Sequence, residues 1–212
     1  MTEKPFTIND GLYLVVDPSM AIDILLPKIE AAINGGVNII QIWNHWKEDA
    51  DKISIIAAIV NIAHQKNIAV LINENIEWMD LVDGIHFDEL PVSIEEIRTK
   101  INRHFIIGIT CGNDFEKIEW AIEHKLSYIS FCSVFPSGTV NTCELVKKET
   151  ILKARALTDM PIFLSGGITL DNLEQLKDTG MNGIALISGI MSADKTEQTT
   201  IQYKQALINT NN

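Results

Sequence analysis

Two short stretches in the last quarter of the chain carry glycines at spacings suited to holding an anion. One reads Ser165-Gly166-Gly167-Ile168-Thr169-Leu170-Asp171 and the other Ile187-Ser188-Gly189-Ile190, each directly after a run of apolar β-formers. Paired glycines let backbone approach a ligand with no Cβ in the way. The N–H groups that open a following helical turn point at negative charge with the helix dipole behind them. Together the two stretches read as a phosphate cradle built from Gly166, Gly167, Ile187 and Ser188, with the Ser188 hydroxyl as an added donor. Such a cradle needs no lysine. The competing reading is that these glycines serve tight turns only.

A second constellation lies in the first half of the chain. It comprises Gln41-Ile42-Trp43-Asn44-His45-Trp46-Lys47, Asn73-Glu74-Asn75 and His86-Phe87-Asp88-Glu89. Alternation along an extended strand puts Gln41 and Trp43 on one face. Glu74 with Asp88 or Glu89 offers two carboxylates, enough for Mg2+ if a substrate diphosphate supplies the remaining oxygens. Against this, Glu74 could simply favour the start of the next helix, and Asp88 or Glu89 could be solvated loop acids. Trp43 and Trp46 read as packing residues or a plug more readily than as a stacking platform. His45 is placed for acid/base work but is a lone loop histidine, and His86 reads as a satisfied core histidine. His64, His104 and His124 read as surface residues. A hydroxyl-rich stretch, residues 133–142, reads as a lid, a ligand loop or a plain surface excursion. Cys111 and Cys132 lack a basic neighbour in sequence, which argues against a thiolate nucleophile.

The elements that must position these groups are legible from periodicity. Eight short runs rich in β-branched residues fall at 12–16, 37–43, 68–73, 84–87, 105–110, 128–132, 161–165 and 183–188. Most are continuously apolar, as strands covered on both faces must be. Stretches with helical spacing separate them, for example Ile53, Ile56, Ala57, Val60 and Ala63, or Ile94, Ile97 and Ile101. Asp49, Ser93, Asn113 and Thr169 are candidate helix starts. Gly35, Gly36 and Gly180 are candidate helix stops. Repeated βα units of this kind predict a parallel sheet closed as one α/β domain, a single (β/α)8 TIM barrel over residues 1–212. The alternative, an open doubly wound sheet, wants a glycine fingerprint after the first strand, where Val16-Asp17-Pro18-Ser19 has none. In a barrel, all the motifs above fall at the C-terminal ends of strands, on one rim.

Composition narrows the ligand. The 212 residues hold 17 Lys plus Arg against 28 Asp plus Glu, a formal net charge of −11. That balance disfavours nucleic acid and anionic membrane surfaces and leaves a small molecule as the expected partner. Three cysteines without CxxC spacing fit a reduced cytoplasm. No apolar run reaches the roughly 18 residues of a membrane span, and the N-terminus shows no signal-peptide pattern. Assembly into a homo-oligomer stays open.

In their order along the chain, these motifs resemble the thiamin phosphate synthase family, which includes the thiazole tautomerases. The resemblance is carried by Leu12-Tyr13-Leu14-Val15-Val16-Asp17, Gly36-Val37 through Gln41, Ile72-Asn73, Asp83-Gly84-Ile85-His86, Ser133-Val134-Phe135-Pro136, Gly166-Gly167-Ile168 and Gly183-Ile184-Ala185 through Ser188. It spans nearly the whole chain. It implies a barrel that binds hydroxyethylthiazole phosphate and hydroxymethylpyrimidine diphosphate and joins them with loss of Mg2+-bound pyrophosphate. On that footing Gln41, Asn73 and His45 are the expected catalytic residues and Gly166, Gly167, Ile187 and Ser188 the phosphate site. Trp43, Thr110, Ser137 and Thr139 are expected to contact substrate, and Glu74 and Asp88 to hold Mg2+. The chain departs from the family where Trp43 and His45 stand at basic positions, Glu74 replaces an aspartate and Val140 a lysine. The aspartate loop after the fourth strand is shortened to Asp88-Glu89-Leu90-Pro91, and Gly112 stands where the tautomerase branch has histidine. A thiazole tautomerase-like activity and a non-catalytic barrel for phosphate ligands therefore remain the alternatives.

Overall fold

The computed structural model describes residues 5–136 and 144–211. Eight parallel strands close on themselves in chain order: β1 (Gly11–Val16), β2 (Ile39–Ile42), β3 (Ala69–Asn73), β4 (Gly84–Phe87), β5 (Ile106–Thr110), β6 (Tyr128–Phe131), β7 (Ile162–Ser165) and β8 (Gly183–Leu186). Closure is made by β8 pairing with β1, Gly11 opposite Gly183 and Leu14 opposite Leu186. Every expected strand is present, and the chain is a (β/α)8 barrel as its periodicity predicts.

The continuously apolar strands have two destinations, because successive side chains point to opposite faces. Outward residues such as Leu12, Leu14, Ile40, Ile72, Ile129 and Leu164 join a core shared with the helices. That core includes Leu25 and Ile29 of α1 (Ile22–Asn34), Ile56 and Ile59 of α2 (Lys52–His64) and Ile97 of α3 (Ile94–Ile101). It also takes Ile118 of α4 (Phe115–Glu123) and Ile151 of α5 (Lys148–Leu157). A four-residue turn, α6 (Ser188–Met191), and a long closing helix, α7 (Thr196–Asn211), complete the ring.

Inward residues form a second, separate cluster in the barrel, with Tyr13, Ile39, Ala69, Leu71, Ile106, Tyr128 and Phe163, and Ile8 from the N-terminal segment packs against them. Three aromatic rings meet edge-on, Tyr13, Tyr128 and Phe163, with centroids 5.6–5.8 Å apart. Room for one of them comes from a glycine. A Cβ at Gly108 would lie 2.1 Å from the Tyr128 ring.

Local structure differs from expectation at several helix ends. The segment after β3 is a 3₁₀ helix, Ile76–Leu81, and so is that after β7, Leu173–Leu176. Gly180 (φ +73°) therefore closes a turn and not a helix. Ser93 caps α3 as expected, its hydroxyl accepting from Glu96 N, but α2 is capped by Asp51 and α4 by Asp114, not by Asp49 and Asn113. Asn113 has a different task. Its Oδ1 accepts from Lys147 N at 3.0 Å and Thr150 Oγ1 at 3.2 Å, and its Nδ2 donates to Leu145 O, tying the β5 loop to the start of α5. Thr169 N donates to Asn172 Oδ1, a side-chain clamp within the β7 loop. Among the described residues no helix is long and apolar enough to cross a membrane.

Candidate active site

The barrel interior changes character along its axis. Its lower layers are apolar, but the last or next-to-last inward position of six strands is polar: Gln41, Asn73, His86, Thr110, Ser130 and Ser165. A polar layer beneath the C-terminal rim is where a barrel builds its site. Gln41, Asn73, His86 and Ser130 are all buried, so each must find partners inside.

They do so in one connected chain. Tyr13 Oη donates to Gln41 Oε1 at 2.6 Å and lies 2.8 Å from Tyr128 Oη. Tyr128 Oη is 2.7 Å from His86 Nδ1, His86 Nε2 is 2.9 Å from Thr110 Oγ1, and Thr110 Oγ1 is 3.1 Å from Ser130 Oγ. Two expected site residues, Gln41 and Thr110, are thus joined across the barrel by Tyr13, Tyr128 and His86. Burial pushes both tyrosine hydroxyls above the ordinary phenol range. Burial also holds the imidazole of His86 down, to about 4, against the attraction of Asp88. At neutral pH the chain is uncharged.

Asn73 lies beside this chain. Its Nδ2 donates to Asp88 Oδ2 at 3.0 Å and to His86 O at 3.3 Å, and its Oδ1 accepts from Asn44 N at 3.3 Å. It therefore fastens the β2, β3 and β4 loops together. Glu74 follows at φ +64°, a left-handed backbone uncommon for a residue with a Cβ. Its Oε1 accepts from the backbone N–H groups of Asp88 and Glu89. Glu89 itself is paired with Lys117, Nζ to Oε2 2.6 Å. Glu74 and Asp88 are thus adjacent acids at the rim, each with one oxygen committed to a protein donor. No group of three His, Cys, Asp or Glu side chains poised for a metal occurs among the described residues. Two carboxylates are hard oxygen donors and fit Mg2+, provided phosphate or water oxygens complete the shell.

At the mouth, the rings of Trp43 and His45 lie 4.9 Å apart, tilted by 37°. His45 Nδ1 is 3.0 and 3.1 Å from the two Asp17 oxygens, and Ser19 N donates to Asp17 Oδ1. Burial raises the Asp17 carboxyl, but the bonds from Ser19 and His45 outweigh it and leave it below its usual range. An ionised Asp17 makes Nδ1 the donor in this contact. Asp17 is a residue of the candidate site that motif reading missed. The signal available was its position, directly after the first strand.

The two glycine loops lie on the same rim. Gly166 (φ +87°) and Gly167 (φ +67°) both occupy left-handed backbone, and a Cβ on either would strike neighbouring backbone, Ser133 N at 2.4 Å and Pro136 O at 2.5 Å. Val134 N donates to Ser165 O and Phe135 N to Gly166 O, so residues 133–136 are zipped onto this loop. The glycines therefore have a packing reason as well as the ligand reason. Asn172 Nδ2 donates to Gly167 O at 2.8 Å, and the buried Tyr203 of α7 reaches Ile168 O at 3.5 Å. Across the rim, Ile187 is the N-cap of α6 and Ser188 its first residue. Ser137 and Thr139 lie outside the described residues. Cys111 is buried, and burial pushes its thiol up to about 12, consistent with no nucleophilic role.

A closed (β/α)8 barrel with a polar rim at the strand ends, flanked by two glycine loops, is the class defined by this geometry. Residues 12–190 match the family described as thiamine monophosphate synthase, and the chain belongs to that family. Thiamine-phosphate synthase of Methanobrevibacter smithii is 27% identical over 185 residues, 86% of this chain and 88% of that protein. The protein of the same name from a Hydrogenobaculum species is 27% identical over 200 residues, 93% of each chain. Among solved structures, thiamine phosphate pyrophosphorylase from Pyrococcus furiosus superposes with a TM-score of 0.80 at 21% identity, covering 95% of this chain and 97% of that one. Family and fold support a role in thiamin biosynthesis, and these relatives bear the name of a transferase.

Proposed function

We propose that the protein is a thiamin phosphate synthase-like transferase that binds hydroxyethylthiazole phosphate and couples it to hydroxymethylpyrimidine diphosphate with release of pyrophosphate. The observation that carries this reading is the polar layer of Gln41, Asn73, His86 and Thr110, set under a rim with glycine loops on one side and Glu74 and Asp88 on the other. In this reading the backbone of Gly166, Gly167, Ile187 and Ser188 receives the thiazole phosphate. Glu74 and Asp88 would hold Mg2+, which supplies positive charge to the departing pyrophosphate. Gln41 and Asn73 orient the heterocycles. His45, with Nδ1 occupied by Asp17, presents its other ring nitrogen to the ligand. Thr110 contacts substrate beside His86, and Ser137 and Thr139 remain expected substrate contacts that lie outside the described residues.

The tilted ring pair of Trp43 and His45 favours a second reading. A family member with cations at these positions holds diphosphate oxygens there, whereas an indole cannot. A barrel that binds thiazole phosphate without coupling it is the alternative this observation supports. The experiment supplies both substrates with Mg2+ and measures pyrophosphate. Release matched by thiamin phosphate is the expected result, and no release overturns the transferase reading. Calorimetry with each ligand alone should show the thiazole phosphate bound at least tenfold more tightly than the pyrimidine diphosphate, a gap of about 1.4 kcal/mol. Equal affinities would mean that other groups, Lys47 or Lys147 among them, replace the missing cations.

A further inference from the structure

Lys117 stands where a lysine is least expected. It lies in the first turn of α4, its backbone N–H donating to the N-cap, Asp114 Oδ1, at 3.3 Å. A cation at a helix N-terminus is disfavoured by the helix dipole. The side chain is also only 14% exposed, so the lysine has given up most of its contact with water. Neither feature helps α4. What offsets them lies outside the helix, in the loop after β4: Lys117 Nζ donates to Asp88 O at 2.9 Å and to Glu89 Oε2 at 2.6 Å. A side chain that breaks the local rule of its own helix to serve a distant loop marks a functional constraint on that loop.

The contacts complete the fastening of one residue. Asp88 N donates to Glu74 Oε1, Asp88 Oδ2 accepts from Asn73 Nδ2 at 3.0 Å, and Asp88 O accepts from Lys117. Backbone donor, carboxylate and backbone acceptor are each held by a different side chain, on a residue that is itself exposed. An exposed loop acid ordinarily keeps its conformational freedom until a ligand takes it away, and that loss weakens binding. We propose that Lys117 is a positioning residue for metal binding: it pins the backbone of Asp88 so that the carboxylate is already ordered beside Glu74, while Glu89 cancels the lysine charge. This rests on the reading of Glu74 and Asp88 as the acids that take Mg2+. The cancellation matters because an unpaired ammonium beside two metal-binding carboxylates would repel the cation they serve. Paired with Glu89, Lys117 supplies a donor without net charge.

Position and charge act with opposite signs, which makes them separable. Lys117→Met keeps an apolar stem, removes the donor and leaves Glu89 unpaired. By charge alone that variant should tighten a divalent cation, whereas by position it should loosen one. Mn2+, a hard cation of the same ligand preference as Mg2+, is titrated into the full chain and its free fraction read by electron paramagnetic resonance. Lys117→Met should weaken Mn2+ about tenfold, the size of effect expected for a residue that orients a metal ligand from behind. The double variant Lys117→Met with Glu89→Gln, whose net charge is that of the wild type, should lose about as much. Glu89→Gln alone should lose less than about threefold, and Lys117→Arg, which keeps a charged donor, should recover most of the affinity. Tighter or unchanged Mn2+ binding by a folded Lys117→Met, or a loss in Glu89→Gln as large as in the double variant, overturns the proposal. Amide hydrogen exchange reads the clamp with no metal present. The Asp88 and Glu89 N–H groups should exchange at least about tenfold faster in the double variant while the barrel strands keep their protection, and unchanged exchange there also overturns the proposal. A wild type that takes up no Mn2+ overturns the metal reading and the purpose given to the clamp. A wild type that binds Mn2+ no more tightly than the Lys117 variants leaves the metal reading standing and overturns the part given to Lys117 alone.

Discussion

Glu74 combines two features that bear on its role: a left-handed backbone and a carboxylate that receives the N–H groups of Asp88 and Glu89. A backbone strained in this way persists only where its surroundings hold it. Glu74→Gln preserves an oxygen acceptor for those amides while removing the charge a hard cation requires. Its unfolding free energy should stay within about 1 kcal/mol of wild type, while Mg2+-dependent pyrophosphate release falls at least tenfold. A variant with unchanged Mg2+ dependence would dismiss the metal role. At the mouth, Trp43→Arg restores a fixed charge and five donors where the family has a cation. Affinity for hydroxymethylpyrimidine diphosphate should rise about tenfold, roughly 1.4 kcal/mol, and a calorimetric titration showing no gain would place the diphosphate elsewhere.

The β6 and β7 loops act as one element, because residues 133–136 lie hydrogen-bonded along Ser165 and Gly166. Gly167 combines φ +67° with a neighbour, Pro136 O, that would be 2.5 Å from a Cβ, whereas Gly112 has φ +57° and nothing within 4 Å. The pair separates backbone strain from collision. Gly112→Ala should lose about 1 kcal/mol. Gly167→Ala should lose more, about 2–3 kcal/mol, and also push the two loops apart. Denaturant unfolding gives the stabilities, and phosphate titration should show weakened binding for Gly167→Ala only. Equal effects of the two substitutions would mean that the contact with Pro136 is not what the glycine serves.

For the molecule as a whole, the buried imidazole at the centre of the barrel ties stability to pH. His86 is held neutral by burial down to about 4, against 6.5 when unfolded, with Asp88 opposing that shift and Tyr128 and Thr110 on its two nitrogens. Above 6.5 neither state is protonated there. As pH falls from 6.5 toward 4, the unfolded chain takes up a proton that the folded one refuses, so stability declines across that window. Denaturant unfolding at pH 7 and pH 5 should show the loss, and His86→Gln should flatten it. A wild-type stability that rises on acidification would contradict neutral burial of this ring.

The amino-acid sequence by itself determined the strands, their order and the rim on which the motifs lie. Each β-branched run specifies its own extended backbone, and parallel strands covered on both faces have few ways to close. It also marked Gln41, Asn73 and the glycine pairs, since a residue at the C-terminal end of a strand or just past it is on the site side of any barrel. What only the tertiary structure decided is which inward side chains meet. Tyr13 and Tyr128 stand 115 positions apart and each reads in sequence as one more apolar strand residue. Their hydroxyls become partners of Gln41 and His86 because strand tilt and register carry distant residues to one level of the barrel. The same holds for Asp17 and His45, 28 positions apart, and for Asn113, whose side chain reaches the start of α5 instead of capping α4. Local propensity reports the backbone of a residue's own segment, whereas a hydrogen bond across a closed sheet depends on the shear of all eight strands at once.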